Sequence, residues 1–410
     1  MPAHYQRLKL PIGIQTFREI REEGYYYVDK TPYVAQLAHS GKYYFLSRPR
    51  RFGKSLFLDT LAEAFEGNRA LFEGLHLEQH WDWDKRFPVM RISFGAGTLQ
   101  DRAQLDTAIL NQLSDNAARL GVVHNPADGV AYGLEQLIHR AALKYGQRAV
   151  VLVDEYDKPI LDNLTQPDIA RAMREGLRNL YSVLKARDAD LKFVFLTGVS
   201  KFSKVSIFSG LNNLYDITLS NEFAGICGYT DADIDTVFAA ELPGLDRDEI
   251  RRWYNGYQWG SSGSDETGTT TNSAGSPSVY NPFDVLLLLR DRQYQAWWFE
   301  TGTPTFLVDW LKNKQYFTPQ LESSFATADL LSAFDVDRIR AEAMLWQTGY
   351  LTLKSSLFTP GGMIYTLGLP NQEVRSALNQ LLLDAWIPTA IESLQAALPL
   401  YAWIAEGNTA

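Results

Sequence analysis

One cysteine, Cys227, stands among 410 residues, so no disulfide can close within the chain and no cysteine-based zinc site can be built. Six histidines are scattered without an H-x3-H pair, which removes the usual helical zinc signature as well. Basic charge is in deficit. Against 48 aspartates and glutamates there are 39 lysines and arginines, a formal charge of -9, and such a chain does not coat nucleic acid or anionic membrane non-specifically, although a local basic groove stays open. The start, MPAHYQRLKLPIG, lacks a basic-then-apolar signal layout, and no apolar run approaches the ~18 residues of a membrane span. These absences describe a soluble cytoplasmic protein in a reducing compartment.

What is present can bury a large interior: 46% of the residues are hydrophobic and 13% aromatic. The length implies two or three domains. Short apolar runs at 43–46 (YYFL), 88–94 (PVMRISF), 149–153 (AVVLV), 193–198 (FVFLTG) and 214–219 (LYDITL) read as strands. Between them lie segments of helical spacing: SLFLDTLAEAFEG, the stretch through Leu105, Ile109 and Leu113, and 130–145 and 168–187. Continuous apolar strands alternating with helices predict an α/β fold, a parallel sheet with helices on both faces, over residues 1–224. A mostly helical texture follows, with aromatic clusters WYNGYQW and WWFETG and a Ser, Thr and Gly-rich flexible loop at 260–279. Residues 225–324 and 325–410 read as two further regions. The last contains YLTL and MIYTL on either side of a Pro-Gly-Gly turn, a small hairpin in a winged-helix-like setting.

The chemistry concentrates in FLSRPRRFGKSLFL. A P-loop, or Walker A sequence, needs Gly, four residues, then Gly-Lys-Ser/Thr, because backbone amides must converge on phosphate oxygens that the lysine neutralises. Gly53, Lys54 and Ser55 supply the second half, while Arg48 holds the first glycine position. The tripeptide sits between an apolar strand and an amphipathic helix, where a helix N-terminus can face an anion. On this reading Arg50, Arg51, Phe52, Gly53, Lys54 and Ser55 bind ATP, with the Ser55 hydroxyl a Mg²⁺ ligand. SRPRRFG would also serve as a solvated basic turn that Pro49 stiffens.

RAVVLVDEYDKP places Asp154 and Glu155 just after an apolar strand, at the carboxyl edge where open α/β sheets bind ligands. As a Walker B pair, Asp154 would hold Mg²⁺ and Glu155 would polarise the attacking water; as structure, the two would only end a strand or cap a helix. Asp157 and Lys158 read as a local turn. Thr197, at the polar end of the next strand, is the first candidate to sense the γ-phosphate, with Ser200 behind it, and turn chemistry accounts for it as well. Lys201, Lys204 and Asn212 could face either a nucleotide or a partner. The Asp-then-Glu order, with one extra strand between the phosphate-loop strand and the acidic strand, matches the P-loop branch that includes AAA-type ATPases.

Taken in order, YYYVDKTPYV, FLSRPRRFGKSL, VVLVDEYDKP, TGVSKFSKVSIFSGLNNL, WYNGYQW, VYNPFDVL and QTGYLTL resemble the bacterial AAA-ATPase-like family over about residues 7–390. That family writes its loop RPRRFGKS, so the resemblance makes Arg48 a family trait. It implies ATP binding at Arg50 to Ser55, Asp154 and Glu155 as the acidic pair, and Asp29 and Lys30 packed beside the nucleotide. Members typically continue into a PD-(D/E)XK nuclease. Here no Glu-x-Lys occurs, and the lone Asp-x-Lys, Asp190 to Lys192, leads into a strand; nuclease activity is therefore not expected of these residues. The expected function is a Mg²⁺-dependent ATPase acting as a nucleotide switch on a protein partner or through self-association. The alternatives are a non-hydrolysing interaction module whose aromatic half grips a partner, and a DNA-associated regulator of a nuclease.

Overall fold

The computed structural model describes residues 7–201, 207, 208, 211, 213–260, 276–298, 324–332 and 340–386. Its centre is a five-stranded sheet in the order β2-β3-β4-β1-β5, made of β1 (Tyr43–Ser47), β2 (Val89–Ser93), β3 (Ala149–Asp154), β4 (Leu191–Gly198) and β5 (Tyr215–Asp216). Every pairing in it is parallel. β1 and β3 are buried at every residue, as expected of strands covered on both faces. The register brings Ser47 opposite Gly198 and Ser93 opposite Asp154, so the carboxyl ends of four strands share one edge.

The strand expected at 214–219 shrinks to two residues. Asp216 turns the chain by accepting the Thr218 amide, and the Thr218 hydroxyl then takes the Ser47 amide at 3.0 Å. Side-chain bonds of this local kind displace the ladder.

Two groups of helices cover the sheet. α1 (Phe17–Glu22) and α2 (Thr31–Ser40) pack on α3 (Lys54–Phe65), which crosses β2, β3 and β4. α4 (Arg102–Leu120), α5 (Val130–Tyr145) and α7 (Pro167–Ala186) form the other group, with the single turn α6 (Lys158–Leu161) against α7. α4 starts on an Asp101 cap that accepts the Gln104 amide and stops at Gly121 with φ 65°, the asymmetry that ends a helix cleanly.

Beyond residue 225, α8 (Asp231–Val237), α9 (Arg247–Tyr254) and α10 (Pro282–Asp291) build a second core around Ile234, Phe238, Ile250 and Leu288. Tyr26 and Val28, from the N-terminal segment, complete it. A three-stranded antiparallel sheet follows, β6 (Ser324–Thr327) beside β8 (Gly362–Gly368) beside β7 (Thr352–Thr359), with helices at Ala328–Ser332, Ala341–Thr348 and Gln372–Trp386. The hairpin anticipated at 350–367 is there with longer strands. β6 was not legible, since SFAT is short and breaks no pattern around it. Most of the loop at 260–279 lies outside the described residues.

Candidate functional site

Loop 48–53 joins β1 to α3. Gly53 turns it into the helix with a left-handed φ of 92° in open space, so its requirement is conformational. Arg51 shares that region at φ 69° without being glycine, a strained backbone of the kind that gathers at ligand clamps. α3 has no side-chain cap and no acidic residue in its first turn, which leaves its first amides and positive dipole end available to an anion. The Lys54 ammonium is buried and donates to the carbonyls of Arg48 (2.9 Å) and Pro49 (2.8 Å). Burial lowers its pKa, while Asp154 and Glu155 push it back up.

Arg48 does not face this site. Fully buried, its guanidinium donates to the carbonyls of Ser47 and Thr218 (both 2.9 Å) and of Phe223 (3.3 Å), and lies 4.5 Å from the centre of the Trp259 ring. Burial pushes its pKa down to about 10. Where a P-loop has glycine, this chain has a bolt that ties the loop to the segment after β5. Arg48→Gly, which restores the usual P-loop residue, is therefore expected to destabilise the protein by on the order of 3–5 kcal/mol, because buried carbonyls lose charged donors. Denaturant unfolding measures it, and an unchanged midpoint would remove this role.

At the end of β3 the Asp154 carboxylate accepts from the Ser55 hydroxyl at 2.5 Å, from the Thr197 hydroxyl at 2.5 Å and from the Glu155 amide at 3.0 Å. Thr197 comes from β4, the strand between β1 and β3. It is fully buried, and its hydroxyl reaches Asp154 instead of the cavity described below. Glu155 adopts φ 51°, and its carboxylate lies where a Cβ on residue 95 would be 3.3 Å away, so Gly95 leaves room for it. Burial raises the Glu155 pKa first and Asp154 adds to that, with Lys54 opposing.

Asp157 corrects the reading of DEYDK as a local turn alone. α6 does begin there, but the buried carboxylate crosses to the end of β4 and accepts from the Val199 amide at 3.1 Å and from the Ser200 amide and hydroxyl at 2.5 Å. Burial raises its pKa and those bonds hold it down. Gly198 explains itself here: a Cβ would fall 2.6 Å from the Asp157 carboxylate and the Tyr156 ring.

A cavity of about 400 Å³ opens over this edge, a size suited to a small-molecule ligand. Arg50, Arg51, Gly53, Lys54, Ser55 and Glu155 form its polar end. Ile14, Val28, Cys227, Phe283 and Leu286 form an apolar wall drawn from the N-terminal segment and from the region after residue 225. Sequence reasoning missed that wall, since its residues are ordinary core types. Phe52 lines the cavity too, wedged edge-on against Tyr257 and Trp259. Lys30 lines it while pairing with Asp233 at 3.1 Å; Asp29 does not, its carboxylate being taken by the Thr31 and His76 amides. Lys201 pairs with Asp216, away from the cavity. Lys204 and Asn212 lie outside the described residues.

No cluster of three or more His, Cys, Asp or Glu capable of holding a metal occurs among the described residues. Ser55 on the polar end and Asp154 directly behind it put one hydroxyl and one carboxylate 2.5 Å apart. That sparse oxygen set fits Mg²⁺, which keeps waters and completes its shell with substrate phosphates.

A parallel sheet with Gly-Lys-Ser after one strand, Asp-Glu after another and a polar-ended strand between them has the architecture of a P-loop NTPase-type fold. The chain belongs to the family described as predicted AAA-ATPase, which residues 11–208 match. A protein from Azotobacter chroococcum mcd 1, described as an uncharacterized protein in the vnfD 5' region, is 54% identical over 397 residues, covering 96% of this chain and 74% of that one. Two Aeropyrum pernix structures are fainter likenesses. The ORC2 protein in ADPNP-ADP complexes is 14% identical with TM-score 0.37, covering 93% of this chain and 98% of that one. The ORC1 protein in complex with DNA is 13% identical with TM-score 0.30, covering 91% and 98%. At those scores the fold rests on the sheet order itself.

Proposed function

We propose that the protein is a Mg²⁺-dependent ATP-hydrolysing switch. The observation that carries the reading is the meeting of Lys54, Ser55 and Glu155 on one cavity, with Asp154 bonded directly behind Ser55. Lys54 exchanges its two carbonyl partners for phosphate oxygens, and Arg50, Arg51 and the first amides of α3 add positive potential. Ser55 and Asp154 would hold Mg²⁺, which would supply screening of the phosphate charge. Thr197 fixes the orientation of Asp154. Glu155 takes a proton from the attacking water.

The switch follows from the cavity walls. Residues 226–229, 282, 283 and 286 close one side and the phosphate loop the other, so a bound nucleotide bridges the unit at 1–224 and the region after it, and hydrolysis weakens the bridge. The partner or appended domain that reads this change is of protein character. The aromatic residues Tyr254, Tyr257 and Trp259 are at most 1% exposed and serve as interior, so these three offer no grip of the kind the interaction-module reading asks of them. DNA gains little support: helix Ala341–Thr348, the one a winged-helix unit would offer to a groove, is buried along nearly its whole length. No described helix is long and apolar enough to cross a membrane, in keeping with a cytoplasmic setting.

Thermal melting with and without ATP and Mg²⁺ tests the proposal. At a nucleotide concentration of about one hundred times Kd, linkage predicts roughly 2.7 kcal/mol of added stability and a clear rise in Tm. An unmoved Tm at millimolar nucleotide would sink it.

A further inference from the structure

The carbonyl of Arg50, in the middle of the phosphate loop, accepts a hydrogen bond from the Trp298 indole N–H at 3.2 Å. Trp298 is fully buried, with its ring 5.3 Å from that of Tyr350, and its backbone amide donates to Glu373 Oε1 at 2.8 Å. Glu373 stands in the first turn of helix Gln372–Trp386, and its side chain meets that of Asp284 of α10. Both carboxyls have no exposure. By distance and angle, neither oxygen of Asp284 nor Glu373 Oε2 has a hydrogen-bond partner among the described residues, the Trp298 amide being given to Glu373 Oε1. Carboxylates are acceptors only, so two of them touching in a dry interior require a proton between them.

We infer that Asp284 and Glu373 meet as protonated carboxyls, and that this neutral pair latches Trp298 onto the phosphate loop so that the loop's grip on a nucleotide depends on both protons staying in place. The inference rests on the nucleotide site proposed above. The loop is braced on the same side by Gly349, where a Cβ would come 2.8 Å from the Pro49 ring. The titratable groups that feel the pair are the hydroxyls of Tyr254, at the end of α9, and Tyr257, both raised by burial and further by the two carboxyls; Tyr350 packs beside Trp298. Burial raises both carboxyls, Glu373 to about 7. A carboxyl whose folded pKa exceeds its unfolded value contributes most below the unfolded value. That contribution fades as pH rises through the folded one. The latch therefore holds in mild acid and loosens from neutral pH upward.

The test measures ADP affinity by calorimetry from about pH 6 to about pH 9 for wild type, Trp298→Phe and the double variant Asp284→Asn/Glu373→Gln, whose amides still pair but cannot ionise. Glu155 and the nucleotide titrate in all three, so the difference between profiles is the signal. Wild-type affinity is expected to fall about tenfold relative to the double variant over this range, and Trp298→Phe to bind more weakly than wild type at about pH 6 and to converge on it by about pH 9. Coincident profiles for wild type and the double variant would overturn the latch. Amide hydrogen exchange of residues 48–54 in ligand-free protein reads the same latch without nucleotide. Exchange in excess of the intrinsic rate should climb with pH in wild type and not in the double variant; equal exchange overturns the inference. If ADP fails to bind while exchange separates the variants, the latch stands and the nucleotide reading falls. Should the double variant not fold, Glu373→Gln alone still accepts from Trp298 and donates to Asp284, and serves in its place.

Discussion

Lys54→Ala is expected to abolish nucleotide binding at working concentrations. The ammonium is a buried positive charge facing the cavity, held 2.8 to 2.9 Å from the Pro49 and Arg48 carbonyls, neither of which it must keep. Moving it onto phosphate exchanges neutral acceptors for charged ones, and charge-assisted bonds are roughly twice as strong. Truncating such a partner costs about 2–5 kcal/mol of binding, some thirtyfold to several-thousandfold in Kd. Arg50 and Arg51 do not replace it, because Arg51 lies over the Phe283 ring at 4.8 Å and belongs to the cavity rim. Calorimetric titration with ATP and Mg²⁺ checks this, alongside a melting curve to confirm that the variant folds. Wild-type affinity in folded Lys54→Ala would end the assignment.

Glu155→Gln is expected to keep ATP binding within about threefold while lowering kcat by 10²–10⁴, the usual contribution of a general base. Glutamine preserves the shape beside Gly95 but cannot accept the proton. The pH profile carries the same signature. Because burial raises this carboxyl, the acid limb of kcat should lie above the ordinary glutamate range and the rate should fall as pH drops through it; the residual activity of the variant should lack that limb. Stability moves oppositely. A raised carboxyl is a charge that Lys54 only partly offsets at neutral pH, so Glu155→Gln should melt no lower than wild type. Phosphate release assays on purified protein settle the matter, and an unchanged turnover rate would refute the role.

The parts of the site that were legible in the chain are those whose chemistry is local. Gly53-Lys54-Ser55 follows a strand and opens a helix, and Asp154-Glu155 ends one, so residue type and position together point to phosphate and metal. Thr197 was legible as a polar strand end. Its partner was not, because the Asp154 contact exists only once β4 lies beside β3. Arg48 illustrates the converse. By pattern it is a defect in the loop, and by structure it is a buried anchor whose three carbonyl partners lie at 47, 218 and 223. Asp157 likewise looked like a turn former until its donors proved to be at 199 and 200.

By itself the amino-acid order determined the parallel strands, the helices that cover them and the identity of the reactive groups, since apolar periodicity and side-chain chemistry act over a few residues. The tertiary structure alone decided that residues 14, 28, 227 and 286 wall one cavity with Lys54, and that Asp284 and Glu373 meet beneath Trp298. Those arrangements come from chain segments far apart in sequence, brought together by burial of apolar surface, which is non-directional and leaves no local mark in the residues it assembles.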